Sequence, residues 1–235
     1  MRKALSLIFV VFLAMTPEPA AAGQMVVIEA SGVNLAPGQM IDDAKTIEIP
    51  VGAKITLISE SGSVSVIEGP YSGAPGKEGA GGADNGLIAS LAQLIGGKPA
   101  QSAALGLMRA AKNEPSPSAW VVDLRRSGSQ CVKAGEKPVL WRAASQKAAT
   151  LSLRALPTGG KANVKIAAGT DQIAWPDGVV IKDGGQYLAR VSGNATASKL
   201  VLRLIPADLP TDPHRAAWMA DMGCTVQAKA LLAGL

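Results

Sequence analysis

Apolar and polar residues alternate with a period of two in two separated parts of the chain, and a helical spacing lies between them and closes the sequence. Met25-Val26-Val27-Ile28-Glu29-Ala30 reads as a short apolar strand. Ile47, Ile49 and Val51 alternate with Glu48 and Pro50. Ile55 and Leu57, then Val64 and Val66, alternate around Gly52 and the turn Ser61-Gly62-Ser63. This pattern predicts a small antiparallel β-domain with one buried face, running strand, Pro37-Gly38 loop, strand, hairpin and then Gly69-Pro70-Tyr71. Residues 72–86 are dense in Gly, with Pro75, Lys77, Glu78 and Asp84 among them, and read as a flexible linker. Asn85 can cap a helix whose Leu87, Ile88, Leu91, Leu94 and Ile95 share one face. Gly96-Gly97-Lys98-Pro99 stops it, and Pro99 opens a second helix to about Lys112, with Leu105 and Met108 on one side. These stripes fit either packing on a neighbouring domain or a partner-binding face.

Glu114-Pro115-Ser116-Pro117-Ser118 forms a second linker. Beyond it, strands are expected at 119–124, 130–133, 139–142, 149–155, 162–167, 172–175, 187–191 and 199–205. Short strands at this spacing predict a β-sandwich. Pro210-Thr211-Asp212-Pro213 opens a helix capped by Thr211 or Asp212, Gly223 interrupts it, and 224–232 resumes it. The expected fold is therefore mainly β with accessory helices. It divides into a signal peptide at 1–22, a small β-domain at 23–71, a Gly-rich linker with two short helices at 72–118, and a sandwich with C-terminal helices at 119–235.

The leader changes the picture of the whole chain. Arg2 and Lys3 precede an apolar run from Ala4 to Met15 that only Ser6 breaks, and Pro17 and Pro19 end it. Ala20-Ala21-Ala22 then supplies small residues for cleavage between Ala22 and Gly23. A run of about twelve residues is too short for a membrane-spanning helix, which needs roughly 20. Cleavage removes Phe9 and Phe12, leaving Tyr71, Trp120, Trp141, Trp175, Tyr187 and Trp218 as the aromatic residues. The core must then be built mainly from Val, Ile, Leu and Ala.

Lys plus Arg number 23 against 18 Asp plus Glu. Along the sequence this surplus reads as a mild, dispersed bias, without the clustered cations and stacking aromatics of a nucleic-acid footprint. The single His and two distant Cys exclude a standard Cys/His zinc site. His214 is the only imidazole, with Asp212 and Asp221 as candidate orienting carboxylates, and no Gly-x-Ser-x-Gly elbow accompanies it. Cys131 and Cys224 predict a disulfide in an exported chain, pinning the C-terminal helices to the sandwich; two buried thiols are the rival. No Cys-x-x-Cys suggests redox work. Asp42-Asp43 is the only adjacent acidic pair and reads as a solvated loop. The Gly-rich run at 79–86 lacks the Lys-Ser/Thr of a phosphate loop. Asn194-Ala195-Thr196 fits a glycosylation sequon and equally a turn. No cofactor, metal or catalytic residue is expected.

Asp183-Gly184-Gly185-Gln186-Tyr187-Leu188-Ala189 resembles the D-x-G-x-Y-x-C pattern of immunoglobulin-like domains, with Ala189 where the Cys would stand. Cys131, followed ten residues later by Trp141, resembles that family's first Cys and core Trp. The resemblance covers 119–205 and implies a sandwich with a tyrosine corner at Tyr187, without the usual inter-sheet disulfide. Val51-Gly52-Ala53-Lys54-Ile55-Thr56-Leu57 and Ser61-Gly62-Ser63-Val64-Ser65-Val66-Ile67-Glu68-Gly69-Pro70 resemble the small β-domain of FecR-type envelope proteins. That family is associated with periplasmic regulation and signal transfer.

Together these features predict a periplasmic or secreted binding or assembly protein of the cell envelope, without enzymatic activity, acting on an envelope protein or polymer. No nucleic acid and no stable membrane insertion after cleavage are expected. The competing expectation is an exported hydrolase using His214.

Overall fold

A computed structural model describes residues 23–78, 85–96, 116–143 and 147–235. The expected leader at 1–22 and the helix expected at 99–112 lie outside the described residues. The architecture is mainly β with accessory helices, as the periodicity predicts.

In the N-terminal unit, β1 (Gln24–Ser31) lies between β2 (Met40–Asp42) and β4 (Lys54–Ser59), and β5 (Val64–Glu68) pairs on the far side of β4. All these pairs are antiparallel. A separate two-stranded sheet, β3 (Ile47–Ile49) with β6 (Tyr71–Gly73), closes one face. Met25, Val27, Ile49, Ala53, Ile55 and Leu57 fill the space between. The alternation of β1 and β4 sends Val26 and Ile58 the other way, into a second core.

That second core belongs to a helical layer. The apolar stripe of α1 (Asn85–Gly96), with Leu87, Ile88, Leu91 and Leu94 buried, packs with α2 (Asp212–Asp221) and α3 (Thr225–Leu232). Val26 and Ile58 join from one side, Ala119, Cys131 and Ile205 from the other. Leu91 is 0% exposed, so its apolar area is withdrawn from water by this joint, a gain of about 1.5–3 kcal/mol. The stripe of α1 is thus a brace between the two β-units.

The C-terminal sandwich sets a five-stranded sheet against a three-stranded one. The first has the order β11 (Lys161–Ile166), β10 (Ala149–Leu156), β13 (Gln186–Val191), β14 (Ser198–Ile205), β8 (Gly128–Lys133). The second has the order β12 (Gln172–Ala174), β9 (Val139–Trp141), β7 (Val121–Asp123). The pairs β14–β8 and β7–β9 are parallel. Leu151, Leu153, Tyr187, Leu200 and Leu202 are among the residues filling the interior.

Residues 72–78 correct the expectation of a linker beginning at 72. They hold β6 and a short 3-10 turn, Pro75–Glu78. The glycine there serves close packing. The Gly76 N–H donates to the Asp43 carbonyl at 2.8 Å, and a Cβ on Gly76 would sit 2.6 Å from that of Asp43. The strand β2 was not predicted either. It is only three residues long, too short for a sequence period, and its antiparallel pairing with β1 holds it in place, extended by the Val27 N–H reaching the Gln39 carbonyl and the Gly38 N–H reaching the Val27 carbonyl at 2.9 and 2.7 Å.

The serine turn between β4 and β5 rests on the start of α2. Gly62 has φ +76°, and a Cβ there would overlap Thr211 Oγ1 and come 2.8 Å from the His214 ring. Gly52 has φ +78° with nothing within 4 Å of its would-be Cβ. Both Ala substitutions carry the backbone strain of a positive φ. Only Gly62→Ala also pushes the hairpin off α2. We predict that Gly62→Ala lowers the melting temperature clearly more than Gly52→Ala; equal shifts would show that the contact contributes nothing.

Candidate binding face

Thr211 caps α2, its hydroxyl accepting from the His214 N–H, as expected of a helix opened by Thr-Asp-Pro. Thr211 Oγ1 also lies 2.7 Å from His214 Nδ1. Asp212 Oδ1 accepts from Arg215 Nη1 at 2.6 Å. Asp221 ends α2, seven residues beyond His214 and so about 10 Å along the axis. Among the described residues, no carboxylate or serine hydroxyl forms a hydrogen bond with the His214 ring, so neither candidate orienter is brought to it.

Cys131 and Cys224 are disulfide-bonded, with Cα atoms 5.9 Å apart. On β8, Val132 points into the sandwich and Cys131 the opposite way, toward the helices. The bridge therefore ties sheet to helical layer, as the cysteine reading predicts, and lies outside the space between the two sheets. Gln227, buried on α3, works at the same place. Its Oε1 accepts from the Cys131 N–H at 2.7 Å, and its Nε2 donates to the carbonyls of Cys131 and Ala119, both at 2.9 Å, and of Val121 at 3.3 Å. One side-chain amide thus completes the open edge of β8 as a neighbouring strand would. Gln130 repeats the device between the sheets, accepting from the Asp123 N–H at 2.7 Å and donating to the Asp123 carbonyl at 2.9 Å.

Tyr187 is buried in the sandwich interior. Its hydroxyl donates to the Val180 carbonyl and accepts from the Lys182 N–H, both at 2.9 Å, closing the chain back on itself. Burial pushes this hydroxyl above the ordinary tyrosine range, against the lowering effect of the Lys182 N–H. Asp183 Oδ1 accepts from the Leu204 N–H at 2.9 Å, fixing the start of the turn to β14. Trp141 is buried under the Arg125 guanidinium, 4.1 Å from its ring centroid.

Arg125 in turn grips Asp123, with Nε and Nη2 each 2.9 Å from a carboxylate oxygen, and Arg126 Nε adds a contact at 3.2 Å. Burial alone would raise the Asp123 pKa. Hydrogen bonds and charge from Arg125, with the charge of Arg126, more than offset it and hold the carboxyl below the usual range. A depressed folded-state pKa contributes stability above the unfolded value of about 3.9, lost as pH falls through the folded value. We predict that the stability of the protein drops with acid through this window and that Asp123→Asn starts lower and falls less. Chemical denaturation between pH 2.5 and 6 checks it; parallel curves would contradict it.

Charge, dispersed along the sequence, is segregated in space. Acidic Glu29, Asp42, Asp43, Glu48, Glu60 and Glu68 outnumber Lys45 and Lys54 in the N-terminal unit. In contrast, β8, β10, β11, β13 and β14 contain no Asp or Glu. Their inward positions are the apolar ones of the sandwich core, so the basic residues fall on the outer face. Arg154, Lys161, Lys165, Arg190 and Lys199 are exposed there, and Arg203 is half-buried. The strand register sets Lys161, Arg154, Leu188 and Lys199 side by side across β11, β10, β13 and β14. The next row on this face is Asn163, Ser152 and Arg190, and the one beyond holds Lys165 and Thr150. Among the described residues, none of these basic side chains is within 4.0 Å of a carboxylate, and Arg203 Nε is buried without a hydrogen-bond partner.

The signal for this face was present as alternate basic positions in successive strands. It is invisible without the register, because residues as distant as Lys161 and Lys199 become neighbours only through β10 and β13. Comparison with protein-family models, curated proteins and solved structures finds no match to this chain.

Proposed function

We infer that the protein is an exported, non-enzymatic binding or assembly protein of the cell envelope, acting by contact with an envelope polymer or protein. The observation that carries this reading is the unpaired cationic outer face of the five-stranded sheet. Like charges held together without counter-ions on a rigid, exposed surface favour an anionic partner and steer it in. The disulfide supports an oxidising compartment, and the leader at 1–22 supports periplasmic or secreted placement. The immunoglobulin-like sandwich and the FecR-like small domain stand in this reading as fold relationships proposed from motif, and the function is argued from the face and not from the fold.

The test is retention on the native envelope fraction. Wild-type protein and His214→Ala are retained alike, whereas Arg154→Glu/Arg190→Glu is washed off. A hydrolytic activity abolished by His214→Ala would overturn the reading in favour of the hydrolase. Circular dichroism establishes that each variant is folded. Charging Leu91 is no test of partner binding, since that residue lies in the joint between the β-units.

A further inference from the structure

We propose that the cationic face binds a linear acidic polysaccharide, its carboxylates on the basic side chains and its hydroxyls on the neutral polar ones. This inference rests on the contact reading above and names the partner's chemistry. Three features of the face select that ligand.

The first is charge without counter-charge. Arg154, Lys161, Lys165, Arg190 and Lys199 are exposed on strands that carry no Asp or Glu. A partner that spreads negative charge along its length meets them in turn. Across the row from Lys161 to Lys199 the charges extend over three inter-strand steps, about 14 Å at roughly 4.8 Å each.

The second is what lies between the charges. Thr150, Ser152 and Asn163 stand among the cations on the same face, and Gln186 lies beside Val201 at its margin. Hydroxyl and amide groups both donate and accept, so they pair with the O–H and the lone pairs of sugar hydroxyls alike, whereas a phosphate chain uses only their donors. Arg154 and Arg190 offer planar forks that match carboxylates.

The third is shape and the absence of stacking groups. Trp120, Trp141, Trp175, Trp218, Tyr71 and Tyr187 all lie off the outward positions of β10, β11, β13 and β14. Single-stranded nucleic acid relies on stacking aromatics, so it is disfavoured. A sheet twists by about 20–25° per strand, so four strands make a saddle that a flexible chain can follow and a flat bilayer touches only in part. Leu188, within the charged row, and Val201, at the margin beside Gln186, are half-buried and present no protruding apolar group to enter a lipid surface.

The experiment uses the purified protein and polygalacturonate as the probe, followed by calorimetry or biolayer interferometry at low salt. Binding is expected, weakening steeply with added salt, and reduced about 10- to 100-fold by Arg154→Glu/Arg190→Glu. Fully methyl-esterified polygalacturonate, with the same backbone and no charge, is expected not to bind. Ser152→Ala/Asn163→Ala should weaken polygalacturonate several-fold and inorganic polyphosphate less. Equal or tighter binding to single-stranded DNA, to polyphosphate or to phosphatidylglycerol vesicles would overturn the choice of ligand. So would a salt-sensitive oligomer in which the acidic N-terminal unit of a second copy covers the face. If polygalacturonate fails while the charge-reversed variant still loses the envelope fraction, the ligand inference falls and the contact reading stands. If the variant is retained like wild type, both fall.

Discussion

Gln227→Leu is expected to lower the stability of the protein by about 3 kcal/mol or more, with the urea midpoint falling and the slope unchanged. The substitution keeps an apolar volume in the joint and removes the amide that, among the described residues, meets the Cys131 N–H and the carbonyls of Cys131 and Ala119. Each buried polar group left without a partner costs about 1–3 kcal/mol. Gln227→Glu separates polarity from pairing. At neutral pH its carboxylate faces carbonyl oxygens and still accepts from Cys131, so it should be as damaging as Leu. In acid the protonated side chain regains a donor, and part of the loss should return. A Gln227→Leu variant within about 0.5 kcal/mol of wild type would show that solvent reaches this edge and that the amide does not hold it.

Cys224→Ser is the second large effect. The bond closes a separation of 93 residues, which in the chain-entropy model contributes on the order of 4 kcal/mol by restricting the unfolded chain. The loss should appear in thermal or denaturant unfolding and be matched by reduction of the wild-type protein. The disulfide and Gln227 hold the same residue, Cys131, from one helix and its cap. Their effects should therefore be coupled, and a double-mutant cycle is expected to depart from additivity by more than about 0.5 kcal/mol. Simple additivity would mean two independent attachments.

The strands of the sandwich and the stripe of α1 were legible because both depend on local periodicity. Leu87, Ile88, Leu91 and Leu94 mark one helical face whatever covers it, and Leu151 and Leu153 mark one face of β10. The cysteine pair was legible because compartment and count restrict the choices. Elements defined by their long-range backbone partners were hidden. β2 is three residues long and is defined by its pairing with β1, and the turn at Pro75–Glu78 is tied down by the Gly76 N–H meeting Asp43. The roles of Gln130 and Gln227 were hidden for the same reason, since a glutamine that replaces a strand has no sequence pattern.

The cationic face lay between these cases. Arg154, Lys161, Lys165, Arg190 and Lys199 are ordinary solvent positions of amphipathic strands when read one at a time. Pairing β11 with β10, β10 with β13 and β13 with β14 turns them into one surface. The acidic character of the N-terminal unit conceals it further by bringing the total charge of the chain back toward balance.

Lysine footprinting on the native envelope fraction tests the central claim most directly, because it needs no prior choice of ligand. Amines are labelled in the free and the envelope-bound protein and compared by mass spectrometry. The account predicts that Lys161, Lys165 and Lys199 become protected on binding, while Lys45 and Lys54 of the N-terminal unit remain reactive. Unchanged reactivity at the three sandwich lysines, with protection at Lys45 and Lys54 instead, would contradict it.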